Sequence, residues 1–189
     1  LILGFPINKK LAASAGITPF SSMGYAISTR ALEHNADMNY YGDGGISKIY
    51  FGGAYKPLKG FSVGINASYL FGSLNRRKQL IYDDESFFHT RATSKINLKG
   101  YYYELGLLYE KLLVEDNKIS FGLTANNNSS IRANRSDIVE SFEITEFFES
   151  PKDTFSNSNE WGDAVLPQCI STGISYREGK QWLLVAEYR

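Results

Sequence analysis

From Phe61 the chain alternates strictly. Phe61, Val63, Ile65, Ala67, Tyr69 and Phe71 share one parity, and Ser62, Gly64, Asn66, Ser68, Leu70 and Gly72 share the other. Period two over about a dozen residues is a strand signal, because successive side chains point to opposite faces of a sheet. A soluble protein would bury the apolar row on a core. An outer-membrane barrel would turn it to lipid and line its lumen with the small polar row.

The same period recurs along the chain. Leu1 to Ile7 is a short apolar run closed by Asn8, Lys9 and Lys10. Leu11, Ala13, Ala15 and Ile17 before Pro19 and Met23, Tyr25 and Ile27 after it share the odd parity, which predicts one kinked strand over about 11–33 with its parity intact across the kink. Proline cannot donate to a ladder, so Pro19 marks a bulge or a break in pairing. Further strands are predicted over 46–55, from 61 to about 80, around Tyr101–Tyr109, from Ile119 to about Ile144, over 170–176, and from Gln181 onward. Composition predicts long polar loops at 34–45, 82–90 and 145–164 and tight turns near 8–10, 57–60, 114–117 and 178–180. Tight turns and long loops then alternate along about eight strands, as in an up-and-down transmembrane barrel. The fold class expected is therefore all-β, an antiparallel up-and-down barrel.

Composition sharpens this picture in a few places. The 189 residues carry 20 basic and 20 acidic side chains, which argues against a nucleic-acid partner. Thirteen tyrosines suit membrane interfaces, where an apolar body and a polar tip are both satisfied. Mean hydropathy is −0.27, and no apolar run nears the roughly 20 residues of a helical span. A barrel strand needs only one apolar side, so that absence does not bear on it. The chain opens on "LILGFPINKK" and closes on "WLLVAEYR" inside an apparent strand, so 1–189 is expected to be a single, incomplete barrel domain of a longer protein.

Parity sorts the candidate residues. Ser62, Gly64, Asn66, Ser68, Glu104, Glu110, Gly122 and Thr124 are expected to face a lumen. Phe61, Val63, Ile65, Tyr69, Phe71, Tyr101, Tyr103, Leu105, Leu107 and Trp182 are expected to face lipid. Tyr55, Tyr109 and Tyr188 join Tyr101, Tyr103 and Trp182 as interface girdle residues. His34 and His89 fall in predicted loops without metal-ligand spacing, and Cys169 has no histidine beside it. Asp83, Asp84 and Glu85 cluster in a loop and read as a solvated tip, with calcium as the sharper alternative. Glu104 and Glu110 read as members of interior ion pairs. No phosphate loop, GxSxG elbow or HExxH motif is present. Neither an enzyme nor a cofactor or metal site is expected.

The stretches "GDGGISKIYFGGAYKPLKGFSVGINASYLFGS" (42–73), "LAASAGITPFSSMGY" (11–25), "VLPQCISTGISY" (165–176) and "WLLVAEY" (182–188) resemble FadL-like outer-membrane transport proteins of the Bacteroidetes type. The resemblance implies a 14-stranded barrel plugged by an N-terminal hatch, of which this chain would hold about eight strands and no hatch. It implies passive uptake of hydrophobic small molecules such as long-chain fatty acids, with outer-membrane lipid and that ligand as partners. It also implies sideways release through a kinked strand, for which Gly16, Pro19, Phe20 and Ser21 are the counterparts here. An ordinary bulge is the plainer reading of that kink. The same fold also serves as an accessory subunit of larger outer-membrane complexes, such as those of type IX secretion or barrel assembly. Three functions are carried forward: a passive outer-membrane channel, a non-transporting accessory barrel among other outer-membrane proteins, and a soluble β protein that binds an apolar ligand.

Overall fold

A computed structural model describes residues 1–31, 35–84, 86–113, 117–145, 148–179 and 181–189. The described residues form β-strands and their connections, with no helix. The strands are β1 (Ile2–Pro6), β2 (Leu11–Ala31), β3 (Ala36–Leu58), β4 (Phe61–Tyr82), β5 (His89–Leu112), β6 (Lys118–Asn126), β7 (Ser129–Ile144), β8 (Glu149–Leu166), β9 (Ile170–Glu178) and β10 (Trp182–Tyr188). All pairings are antiparallel within one sheet, which curls into a half-barrel.

The ten strands occupy eight ladder positions, because two pairs of strands continue one another. β6 pairs with the lower part of β5 (Leu105↔Ala125) and β7 with its upper part (Ala92↔Val139). β8 and β9 answer them in the same order, through Ser129↔Leu166 and Ala125↔Ile170. The result is an up-and-down meander. Its lower end carries the connections β1–β2, β3–β4, β5–β6 and β9–β10. Its upper end carries β2–β3, β4–β5 and β7–β8.

Two predicted loops are strands instead. Residues 36–45 belong to β3, paired on both sides, and residues 149–164 belong to β8, paired with β7. The third shrinks to 83–88, between β4 and β5. The loop-like composition of these segments has a physical cause. Their side chains are mostly polar or small and few of them are buried, so composition resembles a turn although the backbone is extended. The expected alternation of short turns with long loops therefore fails. The strands themselves are long: β5 has 24 residues, about 80 Å at roughly 3.3 Å per residue.

Pro19 does bend the ladder. Pro19 pairs with Ser47 and Ser21 with Ile46, so Phe20 is the extra residue of a bulge. The bulge reverses the facing of the rest of β2, contrary to the expected continuity of parity. Ile17 lies opposite Ile49, on the face exposed by Ile65 and Leu105. Tyr25 instead lies over Gly42, where an added Cβ would come within 2.1 Å of its ring.

The main core sits on the inner face at mid-height. Ile46, Leu70, Leu98, Tyr102 and Ile131 are buried together, with Phe20, Leu74 and Ile96 packed against them. Phe20 meets Tyr102 edge-on at 5.4 Å. Ile131 lies across Gly100, where a Cβ would stand 2.5 Å from its side chain, so only glycine admits it. Leu70 shares its parity with the small polar residues of β4. That grouping holds for the lower part of the strand and gives way at this cluster.

Candidate functional site

The lower half of the sheet has two faces of opposite chemistry. Register aligns Leu11, Tyr55, Val63, Leu107, Leu123, Thr172 and Tyr188 in one row, and Phe5, Ala13, Gly53, Ile65, Leu105, Ala125 and Ile170 in the next. These rows are mostly large and apolar, and their large members are mostly exposed: Ile65 is 52 % accessible and Leu105 55 %. The residues assigned to lipid lie on this face. Val63, Ile65, Tyr69, Tyr101, Tyr103, Leu105, Leu107 and Trp182 are exposed, while Phe61 and Phe71 are half-buried. Tyr69 and Tyr101 meet edge-on at 5.5 Å.

The inner face is small and polar below the core. Ser62 lies opposite Leu108, Gly64 opposite Gly106, Asn66 opposite Glu104, and Ser68 opposite Tyr102. Glu110 lies opposite Ser120, and Gly122 and Thr124 continue the row toward β9. Their small side chains leave a depression of about 270 Å³ against Ser171, Gly173 and Val185. Glu104 accepts from Lys48 Nζ at 2.9 Å, and Glu110 pairs with Lys118.

The ladder is interrupted at one place between β5 and its neighbours. Pairing stops at Lys99↔Arg132 and resumes at Glu104↔Asn126, so residues 127–131 face residues 100–103 with one residue in excess. Asn127 bridges the break: its Oδ1 accepts from Tyr103 N–H at 2.9 Å, and its own N–H donates to Tyr103 O at 3.2 Å. Asn126 secures the junction of β8 with β9, accepting from Cys169 N–H at 2.6 Å and donating from Nδ2 to Pro167 O at 3.0 Å. In the sequence these asparagines lie in "NNNSS" (126–130), a polar run without a recognisable motif. Only the register gives them a task. Cys169 is a half-buried free thiol at this junction.

The upper half is held by charge. Arg30 Nη1 donates to Asp83 Oδ1 at 2.7 Å and to Asp37 at 3.0 Å. The Arg30 guanidinium holds the Asp83 carboxyl below the usual carboxylate range. Ser86 donates its N–H to Asp84 and holds that carboxyl low as well. Both described members of the acidic cluster are thus engaged within the chain, while Glu85 and His34 lie outside the described residues. Arg91 Nε donates to Glu140 at 2.8 Å, and its guanidinium also pairs with Glu149. The same guanidinium stands 4.9 Å above the ring of Phe142, which is fully buried and 5.4 Å from His89. His89 is therefore in β5, accepting from Tyr82 N–H, and not in a loop.

Among proteins of known family, the chain matches one family model over its whole length, residues 1–189: BamG, of the barrel assembly machinery. The chain belongs to the BamG family. No curated protein and no solved structure matches it.

Membership in the BamG family overturns the resemblance to FadL-like transporters and, with it, the lipid-transport reading. The error has a physical origin. The stretches that carried the resemblance are glycines at close strand approaches and aromatics on an exposed face, which barrel physics requires of many unrelated sheets. The hydrophobic small-molecule partner and the sideways exit through Gly16, Pro19, Phe20 and Ser21 came with that assignment and lose their support. Gly16 lies under the β1 backbone, with Leu1 O 2.7 Å from where a Cβ would stand, and ladder pairing resumes at Ser21. The BamG family points instead to an accessory role in barrel assembly, to other outer-membrane proteins as partners, and to association with the bacterial outer membrane.

Proposed function

We propose that this chain is a non-transporting accessory barrel of an outer-membrane assembly machine, with the lower half of its sheet in the bilayer and its upper hairpins in water. One observation carries the membrane part. A band of exposed apolar side chains, several rows deep, reaches all eight ladder positions, with Phe5, Ile17, Phe51, Ile65, Leu105, Phe121, Ile174 and Leu184 one from each. Soluble monomers rarely expose an apolar patch beyond a few hundred Å². Lipid satisfies such a surface, provided that every backbone group in it is paired, as a barrel wall requires.

The accessory part is supported by BamG family membership over the whole chain. The arrangement also asks for no chemistry. We assign it no reaction, cofactor or metal.

The test is extraction and co-purification. In mild detergent the chain should leave the outer-membrane fraction together with stoichiometric outer-membrane proteins, and boiling should shift its gel mobility. A chain that leaves the membrane alone, carrying only lipid in its interior, would defeat the accessory role. A chain that remains in solution without detergent would defeat the membrane reading.

A further inference from the structure

On the outer face, Lys99 and Arg132 stand directly opposite each other where β5 and β7 stop pairing. Both are exposed, and they line one depression of about 550 Å³ with Tyr69, Tyr101, Tyr103 and Asn127. Like charges at directly opposed positions destabilise a sheet. Neither Lys99 nor Arg132 is in any of the eight ion pairs among the described residues, so no carboxylate offsets their opposition. Asp163 lies across from Arg132 on β8 yet forms no ion pair with it. Two residues below Lys99 begin Tyr101, Tyr103 and Leu105, the exposed aromatic and apolar surface of β5.

We infer that this depression is a binding site for an anionic lipid, whose phosphate lies between Lys99 and Arg132 while its acyl chains run down over Tyr101, Leu105 and Ile65. The inference rests on the reading that the lower outer face lies in lipid. A phosphate would relieve the repulsion of the two cations. The tyrosines sit at the depth where a headgroup meets hydrocarbon. The apolar surface continues directly from the cations, which selects a lipid over free phosphate. The break in the ladder supplies the room, since the excess residue bows the β6–β7 side away from β5.

The test uses the full chain folded in phosphatidylcholine vesicles, titrated with phosphatidylglycerol, with retained lipid counted by native mass spectrometry after mild detergent extraction. Phosphatidylglycerol should be retained over phosphatidylcholine. The double exchange K99Q/R132Q should weaken retention by about thirtyfold and each single exchange by about fivefold. The exchange K56Q/K59Q, at the lower end, should leave it unchanged. In lipid-free detergent K99Q/R132Q should be no less stable than the parent, because it removes a repulsion; heat-shifted mobility shows that it is folded. If the double variant fails to fold, the single exchanges decide. Equal retention by parent and variants would overturn the inference. Displacement by inorganic phosphate alone would assign the cations to a free anion and overturn the lipid. Failure of the underlying reading looks different: the chain would not enter phosphatidylcholine vesicles at all.

Discussion

Along β5, Tyr101 to Tyr109 place Tyr, Tyr, Leu, Leu and Tyr on one exposed face, whereas Arg91 to Lys99 place Arg, Thr, Lys, Asn and Lys on the same parity of the same strand. The two stretches share one ladder and one backbone conformation, so conformation cannot explain the contrast. Solvent does. The lower stretch suits hydrocarbon on one side and a small polar interior on the other. The upper stretch suits water. Between them lies the inward cluster of Ile46, Leu70, Leu98, Tyr102 and Ile131, with the Phe20 bulge above the band of β2 and the Asn127 break at the top of the band of β5, opposite residues 100–103. Both irregularities fall where the apolar outer face gives way to the polar one.

The comparison would break most sharply if the upper half proved to be merely a solvated ribbon. Phe142 argues otherwise, since it is fully buried beside His89 and under Arg91. Phe142→Ala is expected to destabilise the chain by about 3–5 kcal/mol, read by denaturant unfolding. A loss under about 1 kcal/mol, the level of a surface exchange, would show that this half has no core of its own.

Next in size is a charge on the lower outer face. Leu105→Arg should cost about 2–4 kcal/mol for a chain folded in vesicles, if the band lies near mid-bilayer. Asn97→Arg, on the same strand and parity in the upper half and opposite the uncharged Ser73 and Asn134, should stay within about 0.5 kcal/mol. Equal effects of the two exchanges would dissolve the distinction between the halves.

The smallest effect concerns the exposed Arg30–Asp83 pair that ties β2 to the β4–β5 connection. Arg30 lowers the Asp83 pKa on folding. The contribution is therefore fully present above the unfolded carboxylate value of about 3.9 and disappears as pH falls through the lowered folded value. Amide protection at the upper tips should fall over that acid range, and Asp83→Asn should abolish that fall and give the lower protection at neutral pH. High salt should blunt the parent's response, because the pair is exposed.

Much of this was legible in the residues alone, and the manner of the failures is instructive. β4 could be read at sight, because Phe61 to Phe71 alternate without interruption. β8 could not: "ESPKDTFSNSNEWGDAVL" has the residues of a loop, and its extended form depends on β7 alongside. The facing of Tyr25 was equally hidden, because one extra residue at Phe20 reverses every side chain beyond it. The juxtaposition of Lys99 with Arg132 exists only in the register of β5 with β7. Family was misread from residues that answer to barrel physics rather than to descent.

By itself the sequence determined the class of structure and the two faces of the lower half, because period two and the partition of side chains between oil and water are local properties of an extended chain. Tertiary structure alone decided where the polar strands run, where the interior closes on Tyr102 and Ile131, and which distant cations meet. Those outcomes depend on register between strands, and register is a property of pairs of segments that neither carries alone.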